Sequence, residues 1–131
     1  AKNLLEDEAK RIRYQKNVKI LKDIGNFTLE QMVKVLAEMK EEDPNFSEFL
    51  QFIRDWYRDV LIVLVGADVR KLIFSTEMKT MKEKAEQYSL TKVNQILEAV
   101  DLAQDRIQAN VKAELAMQML LMEMKVGEDN G

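Results

Sequence analysis

Residues 45–65 read NFSEFLQFIRDWYRDVLIVLV, and their pattern decides the fold class. Phe46, Phe49, Leu50, Ile53, Tyr57, Val60, Leu61 and Leu64 recur at the i, i+3, i+4, i+7 spacing of a helix face. Phe52, Trp56 and Val63 make a second stripe. A helix that is apolar on two sides must be covered on two sides, which places this one at the centre of a bundle. The run from Val60 to Val65 also suits a buried strand. The 3.6-residue period enters it without a break, and that favours helix.

The same period extends in both directions from this segment. A first helix is expected from Leu4 to Ile24, with Leu5, Ala9, Ile12, Val18, Leu21 and Ile24 on its apolar side and Gly25 closing it at the position where positive φ is cheap. Thr28 and Gln31 have the spacing of a capping box, and Phe27 and Met32 that of a hydrophobic staple. They open a second helix whose apolar face reads Leu29, Met32, Val33, Leu36 and Met39, and which Glu41-Glu42-Asp43-Pro44 breaks. Residues 66–76 are a connector with a turn of helix near Val69–Ile73. A polar helix follows over Glu77–Gln87. A fifth runs from Leu90 to Ala109, capped by Ser89, with Leu90, Val93, Leu97, Val100 and Ile107 on its face. The last spans Lys112–Lys125, after which Gly127-Glu128-Asp129-Asn130-Gly131 reads as a disordered tail. The expectation is an all-α bundle of five to six helices in one domain, residues 1–126. Phe49, Ile53, Trp56, Tyr57, Val60, Leu61, Leu97 and Val100 are expected in its core.

Composition agrees and removes whole classes of chemistry. With 131 residues the chain suits one domain rather than two. One proline and four glycines are too few for a loop-rich or all-β fold. Cysteine and histidine are both absent, which excludes disulfides, cysteine nucleophiles and histidine bases. The longest apolar run, Val60–Ala67, is far short of the ~20 residues that span a bilayer. Phosphate-cradling glycine loops and nucleophile elbows do not occur.

Three constellations remain. Asp55/Asp59 and Asp101/Asp105 are i, i+4 pairs, but histidine is missing from any bundle metal site they could join. Each pair has an arginine beside it, Arg58 and Arg106, so surface ion pairing is the plain reading. No catalytic, cofactor-binding or metal-binding residue is assigned. Lys10, Arg11, Arg13, Lys16, Lys19 and Lys22 make the first helix basic. Residues 1–22 carry seven bases and three acids, net +4, against −7 for the remainder and −3 overall. Such a helix is either a solvated face or a contact to phosphates or an acidic partner. The last helix carries two apolar stripes: Leu115, Met119 and Met122 face one way, and Met117, Leu120, Leu121 and Met124 another. One core needs one stripe. The second implies a central position or an interface, for which methionine supplies adaptable contacts.

Three segments together resemble a known family. They are Phe52-Ile53-Arg54-Asp55-Trp56-Tyr57-Arg58-Asp59-Val60-Leu61, Leu97-Glu98-Ala99-Val100-Asp101-Leu102-Ala103, and Asn110 through Leu121. They are similar to the C-terminal collar domain of the delta-prime subunit of the bacterial DNA polymerase III clamp loader, and to the related gamma/tau collar. An apolar or aromatic residue followed by Arg-Asp (here Tyr57-Arg58-Asp59) and an Asn before a final Leu-rich helix (here Asn110 and Leu120-Leu121-Met122) carry the likeness. The family often has a second Asn or a Pro after that Asn, where this chain has Val111-Lys112-Ala113.

The resemblance implies a non-catalytic domain for subunit assembly in DNA replication. Its partners would be gamma/tau and delta type subunits in the bacterial cytoplasm, with no direct nucleic-acid or membrane contact. It also implies that a nucleotide-binding-type module and a lid, which hold the family's arginine finger and metal-binding cysteines, lie before Ala1 and outside this chain. Arg58, Asp59 and Asn110 become structural motif residues, and Leu115, Met119 and Met122 the subunit interface. The alternative from a different class is an independent helical nucleic-acid-binding module that uses the basic first helix. Asp59, charged within a buried stretch, is expected to meet a base or backbone amides from another element. Asn110 is expected to brace its turn through its side chain.

Overall fold

The central helix starts by an unusual route. In the computed structural model, which describes residues 2–129, α3 spans Ser47–Leu64. The residue before it, Phe46, sits in the left-handed region at φ 54° and is fully buried. Its own side chain cannot cap the helix. Asp43 does so instead: its Oδ1 accepts from the Ser47 amide at 3.1 Å and its Oδ2 from the Glu48 amide at 2.9 Å. A carboxylate at the positive end of the helix also complements the macrodipole. Burial of the Phe46 ring offsets the strain of its backbone. At the other end Gly66 takes φ 73°; its amide donates to the Val63 carbonyl and the Ala67 amide to that of Ile62. These two bonds form a Schellman motif.

The other helices are α1 (Lys2–Lys22), α2 (Leu29–Lys40), α4 (Met78–Gln87), α5 (Leu90–Gln108) and α6 (Ala113–Asp129). Short 3₁₀ turns lie at Ile24–Asn26, Val69–Lys71 and Ser75–Glu77. Among the described residues there is no strand, so the run Val60–Leu64 is helical as its period required. α3 lies against α4, α5 and α1, and α6 lies against α5, α2 and the Ile24–Asn26 turn. The core is continuous from Leu21 and Met32 through Ile53, Trp56 and Val60 to Val100, Leu121 and Met124. Leu61 and Leu97, expected inside, are half-buried at its margin. The Thr28–Gln31 capping box is complete, with bonds of 3.1 and 2.8 Å, and Ser89 caps α5 through the Lys92 amide at 3.1 Å.

Five expectations are corrected. Gly25 does not close α1 with positive φ; the chain tightens into the 3₁₀ turn Ile24–Asn26, with a lysine amine rather than a left-handed residue meeting the Gly25 carbonyl. Leu5, Ala9 and Ile12 are exposed, because α1 is gripped by the bundle from Asn17 onward. On α2 the buried face is Met32 and Leu36 flanked by Val35 and Met39, while Leu29 and Val33 are exposed. On α5, Ile96 and Ala103 take core places and Leu90 is exposed. The disordered tail is replaced by helix as far as Asp129, with residues 130 and 131 outside the described part. α6 continues because Gly127 faces inward: a Cβ there would stand 3.1 Å from Tyr88 Cε1 and 3.2 Å from Ile96 Cδ1. The missing side chain lets the last turn lie tightly on α5, and packing outweighs glycine's cost in a helix of about 1 kcal/mol.

Candidate functional site: the outer face of α6

α6 divides into two faces. Ala116, Met117, Leu120, Leu121 and Met124 are buried in the core. Leu115, Met119, Met122 and Val126 are 49, 42, 39 and 41% exposed. The spacing of four, three and four residues puts these side chains within an arc of about 60° over about 16 Å of helix. The inward set satisfies the helix's need for burial. The outward stripe is therefore surplus to the fold of this chain.

The stripe rests on a helix fixed along its length. At its start Lys40 on α2 donates to Glu114 Oε1 at 2.8 Å, and this bond holds the Glu114 carboxyl below the usual carboxylate range. In the middle, Arg106 on α5 reaches the Met119 sulfur at 3.5 Å. Near the end Lys125 donates to the Gly25 carbonyl at 2.9 Å, and Lys84 on α4 pairs with Glu128 and also meets the Lys22 carbonyl at 3.3 Å. Burial pushes the Lys84 ammonium down to about 8, against the pull of the carboxylates Asp23 and Glu83. The helices on both sides of α6 add exposed apolar side chains, Leu29 and Val33 on α2 and Leu102 on α5.

Arg58, Asp59 and Asn110 do not join this face; Asp59 and Asn110 hold turns. Asp59 is fully buried. Its Oδ1 accepts from the Ile73 amide at 3.0 Å and its Oδ2 from the Phe74 amide at 2.7 Å. Backbone amides of the α3–α4 connector thus satisfy it, one of the two routes expected. The clamp seats the Phe74 ring against Phe52, Trp56 and Tyr14, at centroid distances of 4.9, 5.3 and 5.9 Å. Within that cluster the Trp56 indole N–H is buried without a hydrogen-bond partner among the described residues.

Arg58 is exposed and does not pair with Asp59, which corrects the surface ion-pair reading. Asp55 is bonded instead by Gln51 at 2.9 Å, Asp101 by Arg54 at 3.0 Å, and Arg106 turns to Met119. Asn110 adopts φ 68°. Its amide donates to the Ile107 carbonyl and the Val111 amide to that of Arg106, a Schellman closure of α5. The brace is therefore backbone, with the Asn supplying tolerance of the left-handed region, and the expected side-chain bond is absent among the described residues.

Sequence reasoning placed Leu115, Met119 and Met122 on one face and missed Val126. The i+4 step from Met122 reaches Val126, but the helix expected from the sequence stops at Lys125, ahead of Gly127. Of the basic residues of α1, Arg11 pairs with Glu8, Arg13 with Glu48 at 3.1 Å and Lys22 with Glu77 at 3.0 Å. Among the described residues no group of three or more acidic side chains could hold a metal ion. No described helix is long and apolar enough to cross a membrane. Comparison with protein-family models, with curated proteins and with solved structures finds no match to this chain.

Proposed function

We propose that this chain is an assembly domain that packs against neighbouring subunits through the outer face of α6, and that the assembly is a clamp loader of the DNA polymerase III kind. One observation carries the first half of the reading: the stripe Leu115, Met119, Met122 and Val126 is exposed on a helix pinned along its length. A rigid apolar face loses little conformational entropy on docking, which favours an interface. The second half rests on the sequence resemblance to the collar domain. In this reading the domain contributes no catalysis, and its partners are gamma/tau and delta type subunits in the bacterial cytoplasm. The alternative, nucleic-acid binding through α1, is weakened because Arg11, Arg13 and Lys22 already meet acids of the chain itself.

The test compares two charge insertions. Met119→Glu should leave the melting temperature nearly unchanged and weaken co-elution with purified gamma/tau and delta subunits, because a charge desolvated at an interface costs roughly 2–5 kcal/mol. Leu121→Glu should unfold the chain, since a core position cannot hold an unpaired charge. Normal co-elution of Met119→Glu would remove α6 from the interface. If the unsubstituted chain failed to bind either subunit, the clamp-loader assignment would fail.

A further inference from the structure

A second feature lies on the opposite side of α2 from the exposed Leu29 and Val33. α1 presents Arg13, Lys16, Asn17 and Ile20, α2 presents Val35, Glu38 and Met39, and the turn after α2 adds Glu42. The α1 residues follow the i, i+3, i+4, i+7 spacing of one helix face, and Val35, Glu38 and Met39 follow its i, i+3, i+4 part on α2. The two faces meet across a groove of about 550 Å³, within the 300–1,000 Å³ typical of ligand sites. Phe27 and Phe49 complete an apolar floor with Ile20, Val35 and Met39.

Asn17 is what makes this more than an apolar cleft. It lines the groove and is only 7% exposed; its side-chain amide makes no hydrogen bond with the described residues and keeps a small contact with solvent in the groove. An amide that bonds nothing in the fold and meets only groove solvent is free to bond a ligand, so the site holds recognition capacity the fold does not use. The charges of the walls are also ordered. Lys16 and Lys19 stand on the α1 bank, Glu38 and Glu42 on the α2 bank, and none of the four is in an ion pair among the described residues. Arg13 and Glu48 pair at 3.1 Å, and Asp43 is engaged in capping α3.

We infer that this groove binds a short extended peptide carrying an apolar anchor together with one acidic and one basic side chain. A primary amide offers one donor and one acceptor side by side, which matches the C=O and N–H on an edge of an extended backbone. A helical partner has already paired those groups within itself and would leave Asn17 unsatisfied. The apolar floor takes the anchor, the α1 bank faces the acid and the α2 bank the base. This site is separate from the α6 face and does not depend on the assembly reading.

The experiment uses the acetylated, amidated tetrapeptides Glu-Leu-Phe-Lys, Glu-Leu-Phe-Glu and Lys-Leu-Phe-Lys against the full chain. Binding is followed by ¹H–¹⁵N NMR, including the Asn17 side-chain amide. The mixed-charge peptide should shift that amide and bind at least about tenfold tighter than either single-charge peptide, one lost charge-assisted contact being worth about 1.4 kcal/mol or more. Asn17→Leu removes no hydrogen bond of the fold, so it should leave the melting temperature nearly unchanged while weakening the mixed peptide about tenfold. N-methylation of the peptide at Leu and Phe should abolish the Asn17 shift. Met119→Glu should leave peptide binding intact, which separates this proposal from the α6 interface. Equal binding of all three peptides, indifference to N-methylation, or shifts confined to α6 would each overturn it.

Discussion

Removing the Asp59 carboxylate tests the link between the central helix and the connector. Asp59→Ala deletes both acceptors of the Ile73 and Phe74 amides, at 3.0 and 2.7 Å. Phe74 is buried, so its N–H has no water to turn to, while Ile73 is exposed and its amide can be hydrated in part. Hydrogen bonds to a charged acceptor contribute about 1.5–3 kcal/mol each when lost. Release of the carboxylate from its buried position offsets part of that sum. A net loss of about 3 kcal/mol follows, and at about 3–5 °C per kcal/mol for a chain of this size the melting temperature should fall by roughly 10 °C. Asp59→Asn keeps the shape and one acceptor but turns an NH₂ toward a donor, so it should recover less than half of the loss. The assay is thermal unfolding by circular dichroism, together with amide exchange at Ile73 and Phe74, whose protection should fall before that of the α3 core. A melting temperature within about 2 °C of the parent for both variants would refute the clamp, since it would place the two bonds below about 1 kcal/mol in total.

Two further outcomes follow from the same physical terms. Asn110 holds φ 68° and is exposed, so Asn110→Gly should raise stability by a few tenths of a kcal/mol and Asn110→Val should lower it by about 1–2 kcal/mol, read as opposite shifts in melting temperature. Tyr57 and Tyr88 share a bond of 3.4 Å between buried hydroxyls, and burial holds the Tyr57 phenol well above its ordinary value and pushes Tyr88 to about 12. An acid raised in the folded state keeps its proton where the unfolded chain loses it. The contribution is therefore whole below pH 10 and lost as pH rises toward 12, about 2–3 kcal/mol for Tyr88. Lys84, depressed to about 8 from 10.5, acts with the opposite sign between those values, so the tyrosine loss shows above pH 10.5. Alkaline melts should drop steeply there, and Tyr88→Phe should flatten the drop; a flat alkaline profile in the parent chain would contradict the burial of the pair.

Where a local signal and a single-face requirement agreed, the sequence alone was enough. The period of Phe49, Ile53, Trp56, Tyr57 and Val60 set the central helix, because a buried helix must repeat apolar residues at its own pitch. Thr28 with Gln31, and Ser89, set two helix starts, because a cap needs only its own turn. The two stripes of α6 were visible too, as helical spacing separates Met119 from Leu121 whatever surrounds them. The tertiary structure decided everything that depends on a neighbour. Gly127 reads locally as an end, and it continues the helix because its bare Cα packs closely on Tyr88 and Ile96, which a Cβ would crowd at 3.1 and 3.2 Å. Asp59 reads as a charge in a buried stretch that needs a base or backbone amides from elsewhere, but that the Ile73 and Phe74 amides supply them, from a connector fourteen and fifteen residues away, is something no periodicity encodes. Asn17 reads as one more polar residue of a basic helix. That it is nearly buried, bonds nothing in the fold and lines a groove shared with α2 follows from how separate helices come together, and chain order does not contain that arrangement.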